Sequence, residues 1–524
     1  MQTIRSLTAV FRIALLSPLL ASVAFAQQPP PQPIGAPPAA QPGIGPDQPQ
    51  VLTRGPVHEA FAETVVFNPE RGLIVPKSPP PPIEELPPDQ RPEGDNVTWI
   101  PGYWGWDDTQ NDFIWISGVW RNLPPGRQWI SGYWSPADGG YVWTAGYWAD
   151  AQADQIEYLP EPPESIEAGP SGPAPSPDQS WIPGCWIWQA TRYVWRPGYW
   201  TPMQPDWEWV PAHYVWTPAG YVFCDGYWDY TVSHRGILFA PVRFAPANYS
   251  RPQFVFAPSA VINLGAFVDS LFVRPTYRHY YFGDYYAPGW DRNGFFTAFG
   301  FQRDHRGYDP IYSQLQWRNR SDHDWDRRIQ DQFTLRRNNA RERPPQIWTE
   351  QRAPSPARTT PERFQSVATR FDQFTRQKDS GIGFRPLNGD EKQVITEHRR
   401  EVQKNSEQRK QAEARSPVAA APPPQPVVTH PPVAVPPATP RGEPPRTVSP
   451  PAATPAQQPK PAQIQNRVVT KAPLPRSPIV GKSPAQLGKA APPKPHQPPK
   501  VDPKVVPKEH GRANTPKPDE KPKK

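Results

Sequence analysis

The stretch WISGYWSPADGGYVWTAGYW, residues 129–148, holds the pattern W-x-x-G-x-W twice, from Trp129 to Trp134 and from Trp143 to Trp148. Between the copies, Ser135-Pro-Ala-Asp-Gly-Gly140 is turn chemistry and Tyr141-Val-Trp143 is strand chemistry. The pair reads as strand, turn, strand.

The same pattern starts at Trp99, Trp115, Trp129 and Trp143, then at Trp181 and Trp195, and in weakened form at Trp209 (WVPAHY) and Phe223 (FCDGYW). Apart from one step of 16, the spacing inside each group of four is 14 residues. That period is too short for a helical hairpin and suits a strand of about eight residues plus a tight turn. The chain is therefore expected to be mainly β, with antiparallel four-stranded meanders built from these repeats in two tetrads. The tetrads span about 95–150 and 178–228 within a repeat region 57–228, and a linker 151–177 separates them.

Spacing also constrains the register. If Ser135–Gly140 forms the turn, Trp134 falls opposite Tyr141, Gly132 opposite Trp143 and Trp129 opposite Gly146. Each first tryptophan would then cover the bare backbone of a strand glycine, and the first and last tryptophans of a motif would lie on opposite faces. A slip of one residue would instead gather first-position Trp and fifth-position Tyr on one face, with Ile100, Ile116 and Ile130 on the other. Spacing alone leaves that alternative open.

Outward from the repeats, composition marks the ends. Arg5 and Arg12, the apolar run Ile13–Phe25 and the small-x-small Ala24-Phe25-Ala26 predict an export signal over 1–26. Residues 27–56 read as a Pro-rich linker and 416–524 as a disordered basic tail, since 31 Pro there leave too little apolar surface to offset ordering entropy. The tail holds 17 Lys or Arg against 5 Asp or Glu, so the chain's net charge of +8 resides in it. No run of ~18 uncharged apolar residues follows the signal, so no transmembrane segment is expected. Residues 229–310 read as a further β-rich region packed on the second tetrad, and 311–415 as amphipathic helices. One helix follows Trp325, Ile329 and Phe333; a second follows Phe364, Val367, Phe371 and Phe374 behind Thr360 and Pro361; a third runs from Asp390 to about Ala414.

The eight-fold W-x-x-G-x-W between Val57 and Trp228 resembles the WXXGXW (YXWGXW) repeat proteins of Gram-negative-type bacteria. The resemblance covers about a third of the chain, and it implies an exported protein of a mostly uncharacterised group. The departures are Ala212 and Tyr214 in the seventh copy and Phe223 in the eighth. They point to the end of the second tetrad as a cap.

Catalytic signatures are missing: no H-E-x-x-H, G-x-S-x-G, phosphate-binding Gly loop or CxxC. No cofactor or metal is expected. Asp304-His305 and His323-Asp324 lie in charged, turn-like sequence, and Asp107-Asp108 falls in a hairpin turn. Cys185 and Cys224 form a candidate disulfide, which would require the second tetrad to curl. The candidate binding aromatics are Trp99, Trp104, Trp115, Trp120, Trp129, Trp134, Trp143, Trp148, Trp181, Trp186, Trp195 and Trp200. In one reading their rings hold the strands together; in the other one face is a platform for sugar rings or a protein. The expected function is a non-enzymatic structural or adhesive module of the cell envelope, periplasmic, outer-membrane associated or at the cell surface. Its partner would be peptidoglycan, another glycan or an envelope protein, with no role for nucleic acid. A glycan-binding protein proper is the second reading and an envelope hydrolase the third.

Overall fold

A computed structural model describes residues 48–351, 367–377, 381–415 and 469–487. The expected export signal, most of the expected first linker, and Thr360, Pro361 and Phe364 of the expected second helix lie outside the described residues.

The repeats form antiparallel strands, as expected, but they pair in twos. Each pair of motifs makes one hairpin broken in the middle: Arg127–Ile130 pairs with Tyr147–Asp150, and Tyr133–Ala137 pairs with Gly140–Thr144. The first hairpin is built likewise from Val97–Ile100, Tyr103–Asp107, Asp112–Ile116 and Val119–Asn122. The third spans Gln179–Pro202 and the fourth Trp207–Tyr230, with the same two-part ladders. No ladder joins one hairpin to the next, so the four-stranded meander gives way to four separate hairpins.

Of the two alternatives the register is the odd one, but shifted by two residues from that of a Ser135–Gly140 turn. Trp134 stands opposite Trp143, and Trp129 opposite Trp148. The strand continues through Ser135 and Pro136 to Ala137, and the chain reverses at Asp138-Gly139, with Gly139 at φ 88°. Asp-Gly is a two-residue hairpin turn, tighter than a six-residue loop. An even shift preserves faces. Trp129 and Trp148 accordingly join one buried cluster and Trp134 and Trp143 another. The second hairpin is a wall between two cores.

The expected cover of tryptophan over glycine is present, reached diagonally. A methyl placed on Gly132 would fall 2.5 Å from Trp143 Cζ2, and one on Gly146 2.5 Å from Trp129 Cζ2. Gly118 has the same relation to Trp99, Gly184 to Trp195, Gly198 to Trp181 and Gly226 to Trp209. Ala212 is the exception that explains itself. Tyr214 pairs with Phe223, so Ala212 sits diagonal to a Phe ring where the other glycines face Trp. The smaller ring leaves room for the methyl.

Elements outside the repeats wrap them. Gly236–Leu238 and Val242–Arg243 extend the first hairpin rather than the second tetrad, so the region 229–310 packs first where the sequence had not placed it. Gln50–Val51 and Gly55–Pro56 are paired strands within the supposed linker 27–56. In the linker 151–177, Gln155–Leu159 pairs on one side with the fourth hairpin and on the other with Thr470–Pro473. The tail is thus ordered over 469–487: Trp129 N donates to Ile479 O and Leu474 and Ile479 are buried. Between the tetrads, the fully buried Arg121 of the first hairpin is paired with Asp229 of the fourth and donates to Ala60 O. Helices follow as Trp325–Asn338 and Gly389–Arg415. The period through Val367 and Phe371 is broken, because Ala368–Arg370 is a strand paired with Ala260–Ile262, and among the described residues of that stretch only Phe371–Phe374 is helical.

Candidate functional site

The break in each hairpin leaves backbone N–H groups that cannot pair across the ladder, and buried N–H groups require acceptors. Glutamates supply them. Glu85 accepts from Trp115 Nε1 (3.0 Å), Gly118 N (3.0 Å) and Gly102 N (2.7 Å) in the first hairpin. Glu59 accepts from Trp143 Nε1 and Gly146 N, both at 2.9 Å, in the second. Glu167 takes Trp181 Nε1 (2.9 Å) and Gly184 N in the third. In the fourth, Ala212 and Phe223 have replaced Gly and Trp, and Glu63 instead meets His213 Nε2 (3.1 Å) and Tyr227 Oη (2.9 Å).

Burial pushes Glu59 up to about 8 and Glu85 up to about 7, against the N–H donors that favour the anion. At Glu63 burial also acts upward, but His213 and Arg278 beside it hold the carboxyl below its ordinary range. The same carboxylate-to-indole-and-glycine cradle at three hairpins marks these groups as part of the repeat's architecture. Sequence reasoning passed over all four. A signal was present: Glu85 and Glu167 each stand one 14-residue repeat before the first tryptophan of their tetrad, within Pro-rich sequence.

Those Pro-rich strips dock on the hairpins. Trp104 Nε1 donates to Pro81 O at 2.9 Å, and Trp186 Nε1 donates to Glu164 O at 2.9 Å. One layer on, Trp134 Nε1 donates to Trp104 O (2.8 Å) and Tyr214 Oη to Trp186 O (2.9 Å). Each tetrad is therefore a stack of strip, odd hairpin and even hairpin.

Of the twelve candidate tryptophans, Trp99, Trp104, Trp115, Trp120, Trp129, Trp134, Trp143 and Trp148 are all buried, as is Trp186. In the first tetrad the rings are core. Trp181, Trp195 and Trp200, all in the third hairpin, remain half-buried. Beside them a groove of about 400 Å³ runs between the third hairpin and the helix Pro310–Arg318, walled by Trp181, Trp200, Tyr308 and Trp317. Arg320 lies over the Trp317 ring at 4.4 Å, and Trp317 Nε1 is buried without a partner among the described residues. A larger cleft of about 720 Å³ opens in the first tetrad between Ser78–Pro82, Tyr103, Tyr133 and the helix residues Val402–Lys410.

The remaining candidates do not assemble a site. Cys185 and Cys224 are free thiols, Cys224 buried. Their strands belong to different hairpins that stack without a shared ladder, so the curl a bridge requires is not present. Asp304, His305, His323 and Asp324 are exposed. Asp107 and Asp108 are buried and ion-paired, Asp107 with Arg54 and Arg243 and Asp108 with Arg274. Among the described residues no group of His, Cys, Asp and Glu could hold a metal ion, and no helix is long and apolar enough to cross a membrane.

A family model described as WXXGXW repeat (2 copies) matches residues 94–121, 129–149, 177–201 and 205–229. No curated protein and no solved structure matches the chain. Each matched segment is one hairpin, so the two-copy unit of the family corresponds to a strand pair closed by its own turn. Between residues 94 and 229 the chain carries WXXGXW repeats.

Proposed function

We propose that the protein is an exported, non-enzymatic module of the cell envelope, structural or adhesive, whose interaction surface is the third hairpin. The observation that carries this is selective exposure. Trp181, Trp195 and Trp200 stay half-buried while every candidate tryptophan of the first tetrad is sealed in a core. Partly exposed Trp on a rigid strand pair makes a large contact area at little entropic cost. The location is supported by the sequence alone, where residues 1–26 have the charged start, apolar run and small-x-small end expected of an export signal.

A second reading, binding of a glycan, draws on the adjoining groove, where the aromatic walls meet the Arg320 guanidinium. Hydrolysis has less support, because Glu59 and Glu85 are committed to indole and backbone N–H groups.

The test is co-sedimentation of the full chain with purified sacculi and with envelope protein fractions at high salt. The expected result is retention that falls about tenfold in Trp200→Ala, a loss of ~1.4 kcal/mol of binding. Retention unchanged by Trp200→Ala would place the surface elsewhere.

A further inference from the structure

Three of the four hairpins take an added strand in the same place, on the strand that follows the hairpin's central turn. In the first hairpin Asp112–Ile116 receives Val242–Arg243, with Val242 opposite Trp115. In the second, Gly140–Thr144 receives Ile74–Val75. In the fourth, Gly220–Cys224 receives Gln155–Leu159 through Tyr158 and Leu159. All three additions are antiparallel, and each comes from a different part of the chain. The repeat builds a strand edge that is completed from outside the hairpin.

In the third hairpin the matching strand is Arg192–Arg196, paired on one side with Cys185–Gln189. Among the described residues no strand or single bridge pairs with its other side. Burial reflects the difference. Ile114, Val142 and Val222, the middle residues of the three covered strands, are 1, 2 and 6 % exposed, while Val194 is half-buried. An open edge presents a row of backbone N–H and C=O groups to any extended chain that can lie beside it.

Side chains select that chain. The covered strands begin and end with Asp112 and Ile116, Gly140 and Thr144, and Gly220 and Cys224; this one begins and ends with arginine. Successive side chains of a strand point to opposite faces, so Arg192, Val194 and Arg196 share one face and Tyr193 and Trp195 the other. Tyr193 is buried in a cluster with Trp186, Tyr214 and Tyr221, and Trp195 packs against it. On the other face Arg192 is exposed, and Arg196 reaches Asp225 only at 3.9 Å with both side chains partly in solvent. A second copy of the same edge is opposed by charge. Antiparallel pairing centred on Val194 would set Arg192 of one chain opposite Arg196 of the other, and like charges directly opposite destabilise a strand pair. Carboxylates at those two places reverse the sign.

We infer that the Arg192–Arg196 edge is a docking site for an extended segment of a partner protein that carries carboxylate side chains four residues apart with an apolar residue midway. The segment pairs antiparallel, its carboxylates opposite Arg192 and Arg196 and its apolar residue opposite Val194. The inference rests on the reading of the third hairpin as the interaction surface and names the class of partner.

The experiment uses the full chain and the acetylated, amidated peptide SETVTES with a fluorescent label, read by anisotropy. Saturable binding is expected below about 1 mM, tighter at low salt than at high. Arg192→Glu, at an exposed position, should weaken it about tenfold, and the peptide SETVTKS, whose Lys falls opposite position 192, should recover the loss. Two further peptides are methylated on alternate backbone nitrogens, one in each phase. Only every second N–H of a strand faces a given neighbour, so one phase should bind and the other should not. Equal binding in both phases would mean that charge alone is recognised, as in an anionic polymer, and would overturn the inference. No saturable binding, or binding indifferent to Arg192→Glu, would do the same. Co-sedimentation with sacculi and envelope protein fractions on the same preparation separates the two claims. Retention that depends on Trp200 without peptide binding removes the strand edge and leaves the interaction surface standing; peptide binding without retention keeps the edge and removes the envelope role.

Discussion

The first and third hairpins are made from the same motif, with the same cross-strand tryptophan pairs at 5.2 to 5.4 Å between ring centroids, yet one is core and the other is partly surface. Around the first, Gly236–Leu238 adds an outer strand, Val242–Arg243 covers the inner one and the second hairpin stacks against Trp104. The third hairpin has the fourth as its stacking neighbour but, among the described residues, no added strand on either ladder. A repeat motif thus specifies the hairpin. What packs on the hairpin decides whether its rings stabilise the fold or remain available.

The sharpest way to break this comparison is to truncate equivalent rings. Trp148 is 1 % exposed and pairs with Trp129 at 5.1 Å. Trp148→Ala is expected to cost about 3–5 kcal/mol, the range for large buried aromatics. Trp200 occupies the same motif position in the third hairpin, and Trp200→Ala should cost less than half as much because its ring is already half in solvent. Urea unfolding with circular dichroism measures both. Equal losses would mean that the third hairpin is as deeply structural as the second.

Next in size comes the glycine. Gly146→Ala forces a methyl to 2.5 Å from Trp129 Cζ2 and to 2.8 Å from Ile130 O, and overpacking of this kind costs about 1–3 kcal/mol. Trp129→Phe in the same chain should recover part of that loss, since the fourth hairpin already combines Ala212 with Phe223. A double-mutant cycle reads the coupling between the two positions. Additive effects would show that the ring and the glycine do not share one space. Ala212→Gly, where the smaller ring has made room, is the control, and its change should stay near the ordinary Gly-for-Ala backbone cost of about 1 kcal/mol or less.

Much of this hairpin logic is legible in the sequence, because it is local. The 14-residue spacing predicts antiparallel strands, while counting narrows the register to an odd and a slipped alternative; the odd one holds, shifted by two residues, and it keeps Trp129 and Trp134 on opposite faces with the rings diagonal to the glycines. The helix at Trp325 announces itself by period and the one expected from Asp390 by its charged composition, although its cap is Asn388, whose Oδ1 accepts from Glu391 N, and Asp390 lies inside it. What is not legible depends on partners far along the chain. Glu85 meets Gly118 and Glu59 meets Gly146 because a Pro-rich strip and the segment His58–Glu63 return to the hairpins, and no periodicity encodes that return. The apolar period through Val367 to Phe374 predicts a helix, but pairing with Ala260–Ile262 overrides it. Within the basic tail, Thr470–Pro473 finds an open strand edge on Gln155–Leu159, and composition averages hide a four-residue strand. The exposure that singles out Trp181, Trp195 and Trp200 is likewise a property of neighbours, invisible in a motif they share with the buried rings.

The smallest expected effect tests the carboxylates that tie strips to hairpins. Glu59 and Glu85 have folded-state values raised to about 8 and about 7 from 4.5, so between 4.5 and those values the folded chain binds more protons than the unfolded one and stability falls as pH rises. Burial lowers His58 to about 4 and His279 to about 3, so below 6.5 the unfolded chain binds the extra protons there and stability rises with pH. The two pairs oppose each other from about 4.5 to 6.5. Glu208, raised to about 7, and Asp309, raised to about 6, titrate below the last step. From 7 to 8, Glu59 is left to dominate, with a slope approaching ~1.4 kcal/mol per pH unit. Glu59→Gln should lower stability at pH 6 by about 1–3 kcal/mol, since its amide presents a donor to Trp143 Nε1 or Gly146 N, and it should flatten the decline between pH 7 and 8. Glu85→Gln should leave that decline in place. Denaturation midpoints at pH 6, 7 and 8 for the three proteins distinguish the cases, and a decline that survives Glu59→Gln would assign the titration to another group and leave Glu59 ionised in its cradle throughout.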